Sequence, residues 1–468
     1  VGYSELPTWA QQLAPIGLLL IVVGVVLWRL PKVDLGHSAA FKRRRVMNWL
    51  PLGLTYAMLY FGRYNLAALK SSKVQALTEE QYGFIFGVGA AVYGVSFLIN
   101  GPLADRLGGR ATILIAAIGS ALANAAMGLA AYYGHTDDPY LIFGILYGAN
   151  MYFQSFGAVS IVKVNSQWFH VRERGVLGGV FGILISLGIY FAFDWGGRIG
   201  KAWPGDVQWV FWIPAMVLIA FFVIDYFLVR ETPVDAGHRD FDVGDASSGD
   251  EGPRMPAVQV FKKLLSNPII VTIAVIEFCS GFLRNAIMHW GRDFLSGQGA
   301  AESFIYKNWG MMLCIAGIMG GMFAGVISDK VFQSRRGPVA AVLYGLMLGG
   351  AALMIPLLGF AGAIGWLVIF MSMAIIGVHG MLSGTASADF GGRKNAGVAV
   401  GLIDGFVYLG TMLQSFVLGS MLPEKIHVEE TANVDNWQVW PIAMIPFAVI
   451  GLILAIKIWR ARPDAAGG

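Results

Sequence analysis

The sequence predicts an all-α polytopic membrane protein: two six-helix halves plus one extra N-terminal transmembrane helix. Three observations lead there. Of 468 residues, 56% are hydrophobic and only 13% are charged, with a mean hydropathy of +0.63, against about 25% charged in ordinary soluble domains. The apolar residues fall into long runs, each able to cross a bilayer as a helix. Landmarks also recur at nearly one spacing along the chain: Arg63 is matched by Arg284, Asp105 by Asp329, and Gly175 by Gly397. Such a repeat implies homologous halves related by a pseudo-two-fold axis, with one membrane arginine in each.

The first apolar run, about 13–30, follows Ser4, Glu5 and Thr8 and precedes Lys32 and the basic run Lys42–Arg45. A signal peptide would carry its positive charge before the apolar run. Residues 1–40 therefore read as an uncleaved span and connector, with the N-terminus outside; because the chain opens on Val1, a missing or processed start stays open as an alternative. Twelve further spans follow, near 47–69, 82–103, 111–133, 140–168, 175–200 and 208–230, then 268–296, 304–328, 339–359, 364–388, 396–421 and 438–460. They divide into a first half at 41–230 and a second at 263–468. Between them, 231–262 is an acidic cytoplasmic linker. Seven acids face only Arg239 and Arg254 up to Pro256, a composition of flexible, solvated chain, and Val258–Leu265 reads as a short interfacial helix.

Basic residues give the orientation. One side carries Lys32, Lys42–Arg45, Arg106, Arg110, Arg172, Arg174, Lys330, Arg335, Arg336, Arg393, Lys394, Lys457, Arg460 and Arg462, which is 17 against 7 on the other (Lys70, Lys73, Arg198, Lys201, Arg292, Lys307 and Lys425). The richer side is expected to be cytoplasmic, which places the C-terminus inside and the chain in the cell (inner) membrane. A net charge of +4, scattered along the chain, gives no nucleic-acid footprint. Cys279 and Cys314 lie in spans and read as small packing residues. No metal-ligand spacing, nucleotide loop or nucleophile motif is present, so no cofactor, no metal and no enzymatic chemistry are expected.

Arg63 sits deep in the run Tyr60–Leu69, and Arg284 in the run Cys279–Ala286. A charge at membrane depth costs about 2.5–3.5 kcal/mol on insertion scales, so it faces a cavity or a partner. Both arginines could be structural partners of buried acids. Their mirrored placement favours one shared anion, which a guanidinium fork grips better than an ammonium does.

The stretch Gly101-Pro102-Leu103-Ala104-Asp105-Arg106-Leu107-Gly108-Gly109-Arg110 closely resembles the signature loop of the major facilitator superfamily. The resemblance implies gating roles for Asp105, Arg106 and Arg110, and for Asp329 and Lys330 in the matching loop Gly325–Lys330. More narrowly, Ser328–Phe332 with Arg335-Arg336-Gly337, Ala396–Gly401 running to Tyr408-Leu409-Gly410, Arg63 with Asn65-Leu66-Ala67, Arg284 with Trp290, and Trp168-Phe169 with Arg172–Gly175 resemble the organophosphate:phosphate antiporter family, over about Lys42 to Trp459. The family's paired phosphoryl-binding arginines carry over to Arg63 and Arg284.

The chain departs from the family pattern at several places. Tyr64 stands where a lysine often follows the first arginine, and Phe97 where the second core helix has a lysine. Gln167 aligns with a histidine near the phosphate, and His289 with an acid on the seventh core helix. Tyr64, Gln167 and His289 are therefore candidate substrate contacts; His289 also reads as an interfacial histidine. Lys163 has two readings, a cavity cation or a partner of Asp194 or Glu277. Asp404 is a candidate for ion coupling or for a salt bridge, and His379 and Asp194 stay unassigned. Tyr60, Tyr93, Tyr152 and Trp290 are cavity-lining or packing aromatics. The resemblance implies a secondary transporter exchanging an organophosphate for inorganic phosphate across the lipid bilayer. The alternatives are a proton-coupled organic-anion carrier, and a non-transporting sensor that docks a protein partner through its N-terminal helix.

Overall fold

The computed structural model describes residues 8–29, 35–71, 77–134, 138–203, 205–240, 243, 257–332, 335–382, 396–423 and 433–460. The side chains of Asp105, Arg172, Arg174, Asp329 and Lys330 lie outside the described part, as do the basic residues Lys32, Lys73, Arg393, Lys394, Lys425 and Arg462. Among the described residues there is no strand.

Helix α1 is Thr8–Arg29. The first half contains α2 (Ala39–Tyr64) with its short extension α3 (Leu66–Ser71), α4 (Glu79–Leu107), α5 (Gly109–Tyr132), α6 (Pro139–Trp168), α7 (Val171–Tyr190) and α9 (Trp209–Leu228). A π-helical turn, Phe191–Trp195, joins α7 to α8 (Gly196–Ala202). After α10 (Ala257–Leu265), the second half contains α11 (Pro268–Gly297), the single turn α12 (Phe304–Lys307), α13 (Trp309–Lys330), α14 (Arg336–Met354), α15 (Ala361–His379), α16 (Ala396–Met421) and α17 (Val439–Lys457). Among the described residues, eight helices are long and apolar enough to cross a membrane, from Glu79–Ala104 to Val434–Lys457. Helices α2 and α6 are of bilayer length too, but their apolar surface is interrupted by Asn48, Thr55 and Arg63, and by Asn150, Gln154, Ser155 and Ser160, all buried. Polar residues turned inward from such helices mark a functional interior.

Local sequence sets the helix starts. Thr78 and Gln81 form a reciprocal capping box at α4, with Gln81 N donating to Thr78 Oγ1 at 3.1 Å and Thr78 N to Gln81 Oε1 at 3.0 Å. Asn267 caps α11 by accepting from Ile269 N at 3.0 Å, and Pro268 occupies the first helical position.

The sequence repeat reappears as packing. A Cβ on Gly188 of α7 would collide with the Ala57 carbonyl oxygen of α2, and one on Gly410 of α16 with the Phe278 carbonyl oxygen of α11. Phe278 stands to Ala57 as Arg284 stands to Arg63, at the same offset in sequence, and Gly410 stands to Gly188 as Gly397 to Gly175. In each half a glycine of the fifth core helix therefore docks on the first, and in the second half Gly281 of α11 adds a reciprocal approach to the Val407 carbonyl oxygen of α16. Between the halves, α4 packs along α16 and α7 along α13. Gly83 lies against Ser415 and Gly419, and Gly94 against Gly405 and Tyr408, the small-residue contact that brings backbones together where lipid offers no hydrophobic drive.

The start of the acidic stretch is anchored. Glu231 accepts from Gly109 N at 2.9 Å and from Arg110 N at 2.7 Å, so a carboxylate satisfies the first amides of α5 and opposes its dipole. Arg110 completes the joint by donating to the α9 end, to Val229 O and Tyr226 O at 2.8 Å each. Residues 241–242 and 244–256 of the linker lie outside the described part. In α10, Lys262 and Lys263 are exposed and Leu264 is buried.

Candidate functional site

Arg63 is fully buried. Its Nε donates to Gln154 Oε1 at 2.7 Å, one terminal nitrogen to the Tyr408 hydroxyl at 2.8 Å and the other to the Tyr93 hydroxyl at 3.2 Å. The guanidinium carbon lies 4.4 Å from the Tyr60 ring centre and 4.5 Å from that of Tyr93. Gln154 is oriented from behind: its Nε2 donates to Ser120 Oγ at 3.0 Å and Asn150 Oδ1 at 3.1 Å. Asn150 in turn bonds Gly62 O at 3.0 Å, next to the arginine itself. A polar chain through α6, α5 and α2 thus fixes the angle of the fork. Every partner of Arg63 is neutral, and among the described residues it forms no ion pair. Burying an uncompensated ion costs several kcal/mol, so the arrangement asks for an anion.

Arg284 is half-buried on α11. Its Nε is buried without a hydrogen-bond partner among the described residues. Tyr60, Tyr64 and Tyr408 are within electrostatic reach of both arginines, so the two guanidinium groups approach a common interior from opposite halves. One is held by hydroxyls and an amide; the other has donors to spare.

At one end of the bundle the halves are closed by a buried ionic cluster. Lys70, 3% exposed, pairs with Glu79 at 3.0 Å and with Asp293 of the second half at 2.6 Å, and donates to His289 O at 2.9 Å. Its ammonium lies 4.6 Å from the ring centres of both Tyr82 and Trp290, and Trp290 Nε1 donates to Glu79 Oε2 at 2.9 Å. Beside it, Asp194 in the π-helical turn accepts from Gly310 N at 2.8 Å and Met311 N at 3.0 Å. A first-half carboxylate thereby caps second-half helix α13. A crevice next to this lock is lined by Ala68, Lys70, Phe193, His289, Arg292 and Trp309.

The other candidates scatter. Tyr64 is buried, stacks on Phe86 and Phe193, and lies 6.0 Å from the Arg63 guanidinium carbon. His289 is buried in the same aromatic group, its ring centre 4.1 Å from Phe86 and 5.2 Å from Tyr64; Nδ1 is hydrogen-bonded to the Tyr82 hydroxyl, and Nε2 has no partner among the described residues. Lys163 and Gln167 follow Gln154 on α6 by nine and thirteen residues, about 13 and 20 Å along the axis. Lys163 is half-buried and Gln167 exposed, at the opposite end from the lock. The two acids considered for Lys163 have other partners, Asp194 on α13 and Glu277 on His379. Asp404 is half-buried one turn before Tyr408 and lies within electrostatic reach of Tyr93 and His379. Arg106 is exposed and Arg110 fastens α5 to α9; Asp105, Asp329 and Lys330 have side chains outside the described part.

Gln154 and Tyr408 were missed from sequence, as was the Lys70–Glu79–Asp293 lock. A signal for Gln154 was present: Asn150 and Gln154 interrupt an apolar helix four positions apart, on one face.

Comparisons with known proteins place the fold and the family. Residues 52–415 match the model of the Major Facilitator Superfamily. The chain is 25% identical to the "Glycerol-3-phosphate transporter" of Bacillus subtilis (strain 168), covering 92% of this chain and 96% of the relative. It is 26% identical to the "Membrane sensor protein UhpC" of Salmonella typhimurium, covering 81% and 85% respectively. Among solved structures, an inward-facing, unoccupied bacterial homologue of the human lysosomal transporter Spinster superposes with a TM-score of 0.69 at 14% identity, covering 91% of this chain and 98% of that one.

Proposed function

Since the chain belongs to the Major Facilitator Superfamily, we propose that it is a secondary transporter that exchanges a phosphorylated small metabolite for inorganic phosphate, bound between Arg63 and Arg284. One observation carries this reading: two arginines from mirrored helices lie within electrostatic reach of the same three tyrosines, and neither forms an ion pair among the described residues. A phosphoryl group supplies what that interior lacks, negative charge and several acceptor oxygens. The relative that transports glycerol-3-phosphate supports the same ligand class.

In this reading the basic end of the bundle, with Lys42–Arg45, Arg106 and Arg110, faces the cytoplasm and the N-terminus lies outside. The Lys70 lock then closes the outer side. Moving the empty carrier between its two states would enclose two like charges with no anion between them, at a cost of several kcal/mol per unpaired ion. The loaded carrier switches faster, and the expected outcome is exchange. Efflux of labelled phosphate from proteoliposomes should rise several-fold when phosphate is added outside. Equal rates with and without it would sink exchange.

A sensor is the second reading, favoured by the likeness to a membrane sensor protein; it predicts phosphate binding without any flux. The leading helix α1 is proposed as an extra span outside the transport fold, since it precedes the repeat. Removing residues up to Leu35 should leave a folded protein that still exchanges. A truncated protein that folds in the membrane but no longer exchanges would assign the helix to the machinery.

A further inference from the structure

The two halves differ sharply at one place where the repeat makes them equivalent. At the offset that relates Arg284 to Arg63, the first-half counterpart of Glu277 is Tyr56. At the offset that relates Gly397 to Gly175, the counterparts of His379 and Asp404 are Gly157 and Gly182. The equivalence is physical as well as numerical. In the first half a Cβ on Gly157 would stand 3.1 Å from the Tyr56 ring. In the second half His379 Nδ1 lies 2.8 Å from Glu277 Oε2. The second half thus carries a carboxyl, an imidazole and another carboxyl where the first has a phenol and two glycines.

Packing alone does not account for this group. The Glu277 side chain is fully buried, while that of His379 is 22% exposed. Glu277 Oε1 is buried, and the hydroxyl beside the carboxyl, that of Ser280 one turn along α11, is not in hydrogen-bond geometry with it; both atoms lack a partner among the described residues. A carboxylate kept charged there, with one oxygen lacking a donor, is poorly compensated, whereas a carboxyl that takes a proton relieves the cost. His379 touches Glu277 and is itself partly accessible, so it can hand a proton from water to Oε2 and return it. The group also lies next to the anion site. Glu277 precedes Arg284 by seven residues on α11, two turns along one face and about 10 Å away. Arg284 is within electrostatic reach of Glu277 and His379.

We propose that Glu277 and His379, with Asp404 beside them, form a proton-binding site that fills when an anion binds at Arg284. This rests on the anion reading of that arginine. An anion there offsets the positive potential of Arg284 at the pair, so a proton binds more readily. By linkage, the proton tightens anion binding by the same factor. At about 10 Å and an intermediate effective dielectric, the factor is about tenfold per anionic charge.

Among the described residues, the surroundings contain few other groups able to produce this response. Helix α11 itself adds Cys279 and Arg284, α14 places Tyr344 near Glu277, and α16 brings Asp404 and Tyr408. Helix α2 adds Tyr60 and Tyr64 beside Arg284. Where α13 packs on α15 it presents Gly320 and Ala324 to Gly377; α17 carries no titratable group before Lys457, and Lys262 and Lys263 of α10 are exposed.

The test is infrared difference spectroscopy on the purified full chain in lipid, with inorganic phosphate as probe and labelled-phosphate binding measured in parallel. Between about pH 5 and pH 9, the wild type should show a protonated-carboxyl stretch that titrates and grows when phosphate is added. Glu277→Gln should lose that band, and His379→Gln should shift its titration, while both still bind phosphate with up to about tenfold lower affinity and lose its pH dependence. A carboxyl band unchanged in Glu277→Gln, or no such band in the wild type, overturns the site. A band that titrates but ignores bound phosphate overturns the linkage. A titrating Glu277 band in protein that binds no phosphate upholds the proton site and overturns the anion reading instead.

Discussion

Replacing either Arg63 or Arg284 with lysine removes most phosphate binding and exchange, although the charge is kept. The two replacements are expected to differ in a second property. Arg63 donates from all three nitrogens of its fork, to Gln154, Tyr408 and Tyr93. Lysine places one compact ammonium on a flexible stem and cannot meet that geometry. Arg63→Lys therefore leaves buried hydroxyl and amide groups without their donor, at about 1–3 kcal/mol for each group orphaned, and should melt at a lower temperature as well as bind poorly. The Arg284 Nε has no partner to lose among the described residues. Arg284→Lys should keep the melting temperature of the wild type and lose affinity alone. Losing one partner of a buried charged contact costs about 2–5 kcal/mol, about 30-fold to several thousand-fold in the dissociation constant. Labelled-phosphate binding to purified protein, with thermal melting alongside, measures both. Near-normal affinity in both variants would refute the clamp.

Removing the Lys70 ammonium should open the end of the bundle it closes. Lys70→Ala leaves Glu79 and Asp293 as facing buried carboxylates, and breaking one side of a buried pair costs about 3–5 kcal/mol. In a carrier with two states, that penalty falls only on the state in which the cluster is assembled. A shift of about 3 kcal/mol changes the ratio of states by about two orders of magnitude. A cysteine placed at Ala68, in the crevice beside the lock, reports the change once buried Cys279 and Cys314 have been replaced by alanine. Labelling by a membrane-impermeant maleimide should rise at least tenfold in Lys70→Ala, and Glu79→Gln with Asp293→Asn should bring part of it back down. Unchanged labelling would mean that the ionic cluster does not set the closed state.

The fold was legible in the sequence because its information is redundant. Apolar length marks the spans, and the repeat that pairs Arg63 with Arg284 returns as the packing of Gly188 on Ala57 and of Gly410 on Phe278. The arginines were legible because charge is rare at membrane depth. Their partners were harder to see. Tyr408 reaches Arg63 across 345 positions of chain, and no local pattern separates a tyrosine that holds a guanidinium from one that only packs. Lys70, Glu79 and Asp293 sit at helix ends, where charged residues are ordinary; only the crossing of the halves makes them a cluster. Gln167 was singled out by its alignment with a histidine of the resembled family, whereas Gln154, nearer mid-helix, is the glutamine that meets the arginine.

The π-helical turn at Phe191–Trp195 makes one contact depend on how many residues the helix contains. Such a turn fits one residue more than the α-helix does, and each residue advances the helix by about 100°. Shortening the turn by one position ahead of Asp194 would let the α ladder run on and swing the carboxylate by about that angle, away from the Gly310 and Met311 amides. Composition, hydropathy and the aspartate itself would all survive. The joint between α7 and α13 is therefore written as a length, open to an insertion or deletion that a table of allowed substitutions would not register.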